Sequence, residues 1–363
     1  MIRFLHAADL HLDSPFASLA PELAARRRAE QRALLTELTE AADAAGCGVM
    51  LLSGDLFDSE NAYPETVEAM IRAFSACRAQ IFISPGNHDC LLPGSPYCTS
   101  VWPANVHIFR TAEPEAVELP EQKLCVWGAG FAERRASGLL EGFRAPRDGN
   151  LHIMVLHGDA CDPDSPYNAV TAAQIAASGL QYLALGHVHA ASGLLHAGGT
   201  AYAWPGCTAG RGFDECGEKG AYLGTVTDGG AVELQFLPLG TRRYVSLRVD
   251  AAGDPAAAVE AALPSRTQDD IYRIILTGTC ERPDLRQLHA RFAQRFFSLT
   301  LRDETQPPRG LWDGAEDDTL RGIFLGLLRA QYDRAADGPE RQRIAQAARL
   351  GVLALDGREE ETL

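Results

Sequence analysis

The sequence lacks any apolar run of about 18 residues, the length needed to cross a bilayer. This absence excludes a transmembrane helix, so we expect no membrane partner. The N-terminus, MIRFLHAADLHLD, also lacks the basic start, the apolar stretch and the small-residue cleavage site of a secretory signal. We therefore expect the protein to be cytoplasmic.

Closely spaced cysteine pairs are absent as well. The nine cysteines are odd in number, scattered, and nowhere form a CxxC motif. This pattern is typical of reduced thiols in a cytosolic protein and argues against a disulfide framework. A hydrophobic core must hold the fold together, and 46% hydrophobic residues are enough for one.

Positive charge is scarce. The chain has 33 Lys and Arg against 48 Asp and Glu, a formal net charge of -15. A protein that binds DNA through its phosphates usually presents a basic surface, so this balance counts against strong autonomous DNA binding. Bound divalent cations would reverse the field locally, and a partner could supply the remaining affinity.

Short apolar runs alternate with helical patterns up to Gly240. Ile2 to Ala7 and Val49 to Leu52 are predicted strands, and Pro21 to Ala45 and Pro64 to Cys77 are predicted helices. The alternation predicts layered α/β packing, with antiparallel hairpins towards its end.

The pattern changes after Gly240. Residues 244 to 301 follow a strand-helix-strand-helix-strand order, which predicts a small α+β domain. Thr305 to Gly310, TQPPRG, is a predicted linker, and two amphipathic helices follow at Asp317 to Arg334 and Pro339 to Leu355. We therefore predict three parts: a catalytic domain at 1–241, a small capping domain at 242–304 and a helical segment at 305–363.

Five short polar motifs stand where predicted strands end. They are Asp9-x-His11, Gly54-Asp55-x-x-Asp58, Gly86-Asn87-His88-Asp89, His157-Gly158 and Gly186-His187-x-His189. Ligands in α/β folds collect at the carboxyl ends of strands, so all five motifs are expected at one rim. Each motif alone is weak, since a single strand-end histidine is more often structural. The ordered set of five is specific.

These motifs resemble the calcineurin-like metallophosphoesterase superfamily over roughly residues 1 to 210. The opening HAADLHLDSPF and the later WPGCTAGRGFDECGEKGAY are similar to its DNA-repair exonuclease branch, the SbcD-like and YhaO-like nuclease subunits. The later stretch lies outside the metal motifs and is independent support. The resemblance implies a four-layer sandwich of two mixed β-sheets flanked by helices, followed by a small α+β capping domain and C-terminal helices.

The resemblance also implies two divalent metal ions. It assigns Asp9, His11, Asp55 and His189 to one ion, and Asp55, Asn87, His157 and His187 to the other. One carboxylate can serve two cations about 3.5–4 Å apart, and such a pair clamps both the attacking and the leaving oxygen of a phosphoryl transfer. Imidazole, carboxylate and amide ligands suit Mn²⁺, Fe²⁺ or Zn²⁺ better than Mg²⁺. Of these ions we expect Mn²⁺.

Further residues are candidates for the chemistry. His88 is the candidate catalytic residue, either donating a proton to the leaving oxygen or stabilising the transition state. Asp58 and Asp89 either orient a ligand imidazole or cap a loop, and Asp58 is counted with the catalytic residues. Arg211 has the planar fork that binds phosphate, and a structural salt bridge is the open alternative.

The motifs indicate a two-metal phosphodiesterase that uses a metal-bridging water, and the resemblance implies that it is a DNA-repair exonuclease acting on DNA. The resemblance implies a coiled-coil ATPase partner of the SbcC or YhaN type, and relatives dimerise through helices of the catalytic domain. Apolar residues at helical spacing near the C-terminus form a candidate docking face, with packing inside the chain as the alternative: Ile323, Phe324, Leu327, Leu328 and Tyr332.

Two rival functions stay open. The chain could be a metallophosphoesterase of nucleotides or other small phosphodiesters, although its long C-terminal extension favours a polymer. Phosphoprotein phosphatases usually have Arg-Gly after the second motif, whereas Ser59 and Glu60 follow Asp58 here. The chain could also be mainly a regulatory or scaffold subunit of an ATPase complex, although every predicted ligand and His88 are present.

Overall fold

The computed structural model describes residues 1–240, 242–306 and 310–355. The chain forms two compact units, Met1–Tyr244 and Val245–Leu363. The centre of the predicted linker, residues 307–309, and the end of the predicted helical segment, residues 356–363, lie outside the described residues. Among the described helices, none is both long and apolar enough to span a membrane.

The first unit alternates strands and helices. Its strands are β1 Ile2–Ala7, β2 Val49–Leu52, β3 Gln80–Ile83, β4 Val106–Ile108, β5 Glu115–Leu119, β6 Leu124–Gly128, β7 Leu151–His157, β8 Tyr182–Gly186, β9 Leu195–Ala197, β10 Thr200–Ala203, β11 Gly220–Val226 and β12 Val232–Pro238. Its helices are α1 Pro21–Ala44, α2 Pro64–Ala76, α3 Pro96–Thr99 and α4 Ala172–Ala177, with one 3-10 turn at Pro120–Gln122.

Local sequence sets the limits of these helices. α1 and α2 each begin with a proline, which suits the first turn because the N–H that proline lacks would have no partner there. The chain turns away from α1 at Gly46, where φ is 66°, a value that favours glycine. Thr171 and Gln174 cap the start of α4 reciprocally.

Two mixed sheets of six strands form the centre of this unit, in the orders β12-β11-β1-β2-β3-β4 and β5-β6-β7-β8-β10-β9. In the first sheet β1 to β4 are parallel, and the β11–β12 hairpin adds antiparallel strands beside β1. In the second, β6, β7, β8 and β10 are parallel, with antiparallel strands at both edges. The carboxyl ends of the central strands therefore share one edge in each sheet.

Alternating side chains explain how the layers stack. Val49 of β2 and Ile153 of β7 share a core between the two sheets. The next residue, Met50, points to the opposite face and packs with residues of α1 and α2. Met154 of β7 likewise packs with α4 on the outer face of the second sheet. The layers run helix, sheet, sheet, helix, which confirms the predicted fold class.

The second unit has its own sheet and core. After β13 Tyr244–Asp250 come α5 Pro255–Ala262, β14 Ile271–Thr277, α6 Leu285–Phe292, a 3-10 turn at Ala293–Arg295, β15 Ser298–Asp303, α7 Leu320–Arg334 and α8 Gly338–Leu355. β13, β14 and β15 form a three-stranded sheet in which β14 and β15 are parallel. Asp254 and Asp284 cap α5 and α6 through their carboxylates. Val259, Ile274 and Phe292 lie in the core.

Candidate metal centre

The five strand-end motifs converge at one edge of the two sheets. Asp9 follows β1, Asp55 follows β2 and Asn87 follows β3, at the carboxyl ends of parallel strands. His157 ends β7, and His187 follows β8 in the other sheet. The two sets meet, because His157 Nε2 lies 3.5 Å from Asp55 Oδ2.

The turns after these strands have an unusual backbone. Asp9, His11, Asp55 and His187 have positive φ values of 51°, 43°, 51° and 92°. Positive φ is uncommon for residues other than glycine, and such strain costs about 1–3 kcal/mol per residue. Four candidate ligands carry this strain, which the surrounding sheets must hold in place.

Two glycines allow the turns to approach one another closely. A Cβ at Gly86 would clash with Asp55 Oδ1, and a Cβ at Gly186 would clash with the backbone oxygen of Ser53. Any larger residue would push apart the turns that carry the candidate ligands. The glycines that begin the GNHD and GHVH motifs are thus explained by close packing at the site.

Asp89 ties two of these turns together from inside. Its fully buried carboxylate accepts hydrogen bonds from Tyr97 Oη and from four backbone N–H groups, those of Asp55, Leu56, Phe57 and Gly86. Burial raises the pKa of Asp89, and the charge of Asp55 raises it further. Of the two roles left open for Asp89, its contacts are those of a loop cap.

Two carboxylates are buried at the centre. Asp9 and Asp55 are 0% and 1% exposed. Burial raises the pKa of Asp9 well above its usual value, and the charge of Asp55 raises it further. Burial also acts to raise the pKa of Asp55, but the imidazoles of His157 and His11 outweigh it and lower that pKa. Buried carboxylates without sufficient countercharge are costly, so this pair favours a bound cation.

Histidines complete two overlapping groups around these carboxylates. Potential ligand atoms of Asp9, His11 and His189 lie within 4.8 Å of one another, and so do those of Asp9, Asp55 and His157. Asp9 belongs to both groups. Asp55, the residue that the resemblance assigns to both ions, also reaches both, because its Oδ2 lies 3.9 Å from His11 Nε2. Neighbouring groups that share a carboxylate are typical of a two-metal site.

One side of the centre is supported by a main-chain oxygen. His157 Nδ1 lies 2.9 Å from the carbonyl oxygen of Ser53, so Nδ1 carries the proton and Nε2 keeps a lone pair. His157 Nε2 and His187 Nδ1 lie 2.9 Å and 3.3 Å from Asn87 Oδ1. We call Ser53, Asn87, His157 and His187 the carbonyl side.

The other side is supported by charged side chains. His11 Nε2 and His189 Nε2 face each other at 3.2 Å. His189 Nδ1 is hydrogen-bonded to Glu215 Oε1 at 2.7 Å. Asp58 Oδ1 lies 3.3 Å from His11 Nδ1, without the alignment of a hydrogen bond. Arg211 pairs with both carboxylates. We call His11, Asp58, His189, Arg211 and Glu215 the arginine side.

The atoms that face the centre fit a metal. Each candidate ligand histidine turns one nitrogen inward and the other towards an oxygen. The outward nitrogens of His157 and His189 are hydrogen-bonded. Those of His11 and His187 lie 3.3 Å and 3.7 Å from a carboxylate oxygen without a hydrogen bond. His11 Nε2 and His189 Nε2 are 3.2 Å apart, a spacing that suits either an N–H···N hydrogen bond or a cation held by both nitrogens. The structure brings together all seven residues predicted to hold two ions: Asp9, His11, Asp55, Asn87, His157, His187 and His189.

His88 stands at the rim of the centre. Its ring is exposed, and Nδ1 lies 2.9 Å from the backbone oxygen of Asp58. Its backbone N–H donates to Asp55 Oδ1 at 2.9 Å, and its ring meets the His11 ring edge-on at 4.8 Å. His88 therefore has a fixed ring position beside the buried carboxylates, with Nε2 left for other contacts.

Asp58 and Arg211 lie on the arginine side. Burial acts to raise the pKa of Asp58, but its contacts with His11, Ser14 and Arg211 outweigh it and lower the pKa to about 2. Asp58 thus contacts an imidazole, as the orienting alternative requires. Arg211 Nη1 lies 3.0 Å from Asp58 Oδ1 and its Nη2 lies 2.7 Å from Glu215 Oε1, so the predicted phosphate-binding residue makes ion pairs inside the chain.

Glu215 was missing from the sequence predictions. It is 5% exposed. Burial acts to raise its pKa, but hydrogen bonds from His189 and Arg211 outweigh it and hold the pKa well below the usual range. One sequence feature could have pointed to Glu215: it lies four residues after Arg211 in the GRGFDE segment, where an acidic residue can pair with that arginine.

His6 shows how a buried histidine without a place at the centre is arranged. It is fully buried on β1, with Nδ1 at 2.8 Å from Tyr182 Oη and Nε2 at 3.0 Å from both Ser53 Oγ and the Leu185 oxygen. Burial lowers its pKa to about 3. Both nitrogens have partners, so His6 is a core residue whose hydrogen bonds are satisfied without a metal.

The predicted docking face of α7 is divided. Ile323 and Leu327 are 56% and 64% exposed, as a docking face requires. Phe324 lies against Gly351 of α8, and Tyr332 packs on Trp312. Part of the apolar stripe is therefore used for packing within the second unit.

The chain is similar to known proteins. The chain is 29% identical over 381 residues to a Bacillus subtilis (strain 168) protein described as "Uncharacterized metallophosphoesterase YhaO", covering 94% of this chain and 91% of that protein. A crystal structure of TT1561 from Thermus thermophilus matches with 14% identity and a TM-score of 0.39, over 65% of this chain and 98% of that one. The model of the calcineurin-like phosphoesterase family matches residues 2–191. This chain belongs to the calcineurin-like phosphoesterase family.

Proposed function

We propose that the chain is a two-metal phosphodiesterase that hydrolyses DNA, as the nuclease subunit of a DNA-repair exonuclease. The pair of overlapping ligand groups that share Asp9 carries the proposal. Membership of the family makes the reaction the hydrolysis of a phosphoester. DNA as the substrate is supported by the sequence resemblance to the exonuclease branch.

The donor set suits Mn²⁺, with Fe²⁺ and Zn²⁺ as the nearest alternatives, because imidazoles and an amide accompany the carboxylates. When bound, two such ions supply the positive charge that stabilises a phosphoryl transfer. The chain supplies the geometry for them. Strained turns aim Asp9 and Asp55 inward, and hydrogen bonds behind His157 and His189 keep each Nε2 unprotonated.

His88 is the proposed proton donor to the leaving oxygen. The Asp58 carbonyl accepts from Nδ1–H, which orients the ring and leaves Nε2 for the substrate. In the imidazolium form, Nε2–H can donate to the leaving oxygen of a phosphodiester. General acids contribute about 10²–10⁴ in rate, so His88→Ala should lose activity on that scale and keep its metal.

Support for a polymeric substrate comes from the extent of the chain. The similarity to YhaO covers 94% of this chain, so it includes residues well beyond the catalytic unit. A second unit is useful for orienting a long substrate. With a net charge of -15, DNA affinity must come partly from elsewhere. We propose that a coiled-coil ATPase of the SbcC or YhaN type supplies this additional DNA affinity. It would form a cytoplasmic complex with a homodimer of this chain.

A second candidate function is hydrolysis of a small phosphodiester or nucleotide. The net charge of -15 favours it, because a small substrate needs no extended basic surface. It would use the same metal centre and the same His88.

The test is Mn²⁺-dependent hydrolysis of end-labelled double- and single-stranded DNA, run beside bis-p-nitrophenyl phosphate. Wild type, His88→Ala and a control variant, His196→Ala, are compared. His196 is an exposed histidine on β9 and matches His88 in residue type and exposure. We expect wild type and His196→Ala to degrade DNA, while His88→Ala binds Mn²⁺ but loses about 10²–10⁴ in rate.

Cleavage of the small diester without DNA cleavage would favour the second candidate, or a requirement for the ATPase partner. Adding that partner separates the two. Wild-type turnover by His88→Ala would contradict the role proposed for this histidine. Absence of Mn²⁺-dependent hydrolysis of either substrate would contradict the proposed phosphodiesterase.

A further inference from the structure

The loop after β10 brings a second layer of charged side chains to the metal centre. Glu215 Oε1 lies 2.7 Å from His189 Nδ1 and 2.7 Å from Arg211 Nη2. The Arg211 backbone N–H also donates to Glu215 Oε2 at 2.8 Å. Arg211 Nη1 reaches across to Asp58 Oδ1 at 3.0 Å. One guanidinium therefore links the carboxylates that lie behind His11 and His189.

The position of the proton in this network follows from the acceptors. A glutamate paired with arginine is ionised and can only accept, so the proton in the 2.7 Å contact belongs to His189 Nδ1. Arg211 Nη2 also lies 3.2 Å from His189 Nδ1, and both groups then donate to the same Glu215 oxygen. With Nδ1 protonated, His189 Nε2 keeps a lone pair directed at the centre.

We propose that Glu215, held in place by Arg211, is a positioning residue that fixes the tautomer and the orientation of His189 as a metal ligand. Arg211 then serves the metal centre from behind and does not bind the phosphate of the substrate. The inference rests on the two-metal site of the proposed function and is independent of whether the substrate is DNA.

The geometry of Arg211 favours this role over substrate binding. Its Nε and Nη2 are directed at Glu215, and its Nη1 is directed at Asp58. The side chain is 22% exposed, so most of its surface lies inside the protein. Removing the partner of a ligating histidine typically weakens metal affinity about 10–100-fold.

The test is calorimetric titration of Mn²⁺ alone into metal-free full-length protein, for wild type, Glu215→Gln and Arg211→Lys. Gln can still accept one hydrogen bond but lacks the charge, and Lys keeps the charge but cannot pair with two carboxylates. The matched control is Asp43→Asn. Asp43 also pairs with an arginine, Arg78, but lies near the end of α1, at the opposite end of the sheet.

We expect Glu215→Gln to weaken one of the two Mn²⁺ binding events by about 10–100-fold and to leave the other within about threefold. Arg211→Lys should weaken the same event by less, and Asp43→Asn should change neither. At saturating Mn²⁺, the KM for bis-p-nitrophenyl phosphate should stay near the wild-type value in all variants.

Unchanged Mn²⁺ affinities with a raised KM would overturn the inference and make Arg211 a substrate-binding residue. Unchanged affinities with an unchanged KM would overturn it as well. If Glu215→Gln does not fold, as judged by circular dichroism, Arg211→Lys decides by the same two readouts. Wild-type protein that binds fewer than two Mn²⁺ ions would overturn the two-metal site itself, a different and recognisable failure.

Discussion

On the arginine side of the metal centre, His189 Nδ1 meets a side-chain carboxylate, Glu215 Oε1, at 2.7 Å. On the carbonyl side, His157 Nδ1 meets the main-chain oxygen of Ser53 at 2.9 Å. Both partners accept the Nδ1 proton and leave Nε2 free for a metal. They differ in what a substitution can remove, because a carboxylate can be replaced, whereas a backbone oxygen is present in every variant.

This difference separates the parts of the site that follow from the fold from those that depend on particular side chains. Ser53 lies in the turn after β2, so the support of His157 forms when the sheets form. Glu215 and Arg211 lie in the loop between β10 and β11 and depend on each other's charge. We expect the arginine side to respond to single substitutions that the carbonyl side tolerates.

The largest effect is expected at Asp55, which lies between the two sides and is close to a histidine of each. Asp55→Asn removes the negative charge that contacts both His11 and His157. Both metal ions should be bound far more weakly, and phosphodiesterase activity should fall to the background rate. Metal content measured by elemental analysis and hydrolysis of bis-p-nitrophenyl phosphate check this, with Asp43→Asn as the control. Loss of one ion alone would show that the two sides do not share this carboxylate.

A second effect concerns the histidine that has partners on both nitrogens. The pKa of His6 is about 3 in the folded chain against 6.5 when unfolded. Below pH 6.5 the unfolded chain therefore takes up a proton that the folded chain refuses, and stability falls as pH falls towards 3. Between pH 6.5 and 5 the loss due to His6 is about 2 kcal/mol.

The measurement is urea unfolding of wild type and His6→Gln at several pH values. His6→Gln is expected to be less stable at pH 7.5, because its hydrogen bonds change, but to lose less stability on acidification. If the free energy of unfolding fell equally with pH in both proteins, His6 would not be kept neutral by burial. His6 would then not differ in this respect from the candidate ligand histidines.

Substitution of Asp89, which caps the turns that carry Asp55 and Gly86, is expected to weaken metal binding on both sides equally. Asp89→Asn places an amide where Asp89 Oδ2 accepts from Leu56 N–H and Tyr97 Oη. Leaving buried donors unpaired lowers the free energy of unfolding by about 1–3 kcal/mol. The Asp55 turn should then shift, and the affinity for both metal ions should fall. Thermal unfolding and Mn²⁺ titration test this. Asp254→Ala, which removes the cap of α5, should lower stability by about 1 kcal/mol without changing metal affinity.

The smallest effect is expected on the carbonyl side. Asp159 Oδ2 lies 3.7 Å from His187 Nε2, beyond hydrogen-bonding distance, whereas Glu215 bonds His189 at 2.7 Å. Asp159→Asn should therefore change the Mn²⁺ affinities by less than about threefold, well below the range for an outer hydrogen-bonded partner. A tenfold loss would show that a carboxylate is as important here as on the arginine side.

Much of the fold was predictable because its signals are local. β1 and β2 have the predicted limits, since continuous apolar runs of this length are characteristic of buried strands. β4 and β5 were not predicted. They are short and mostly half-buried, at sheet edges, so their residues carry little apolar signal. Helix ends were predicted to within a few residues because proline and the capping residues are local as well.

The candidate ligands were also predictable from the sequence, because each stands directly after a strand in a short motif. Strand ends in parallel sheets meet at one edge, so the motif order already implied that they would converge. How each imidazole is supported was not predictable. Glu215 is 26 residues from His189, and Arg211 is 153 residues from Asp58.

The sequence by itself determined the class of fold, the residues that gather at the centre and the family of the chain. These depend on periodicity, on turns and on motifs, which are written within a few consecutive residues. Only the tertiary structure decided that Asp89 caps two turns, that Arg211 is bound to Glu215 and Asp58, and which nitrogen of each imidazole faces the centre. These features arise from contacts between distant segments, which meet only after the two sheets have packed.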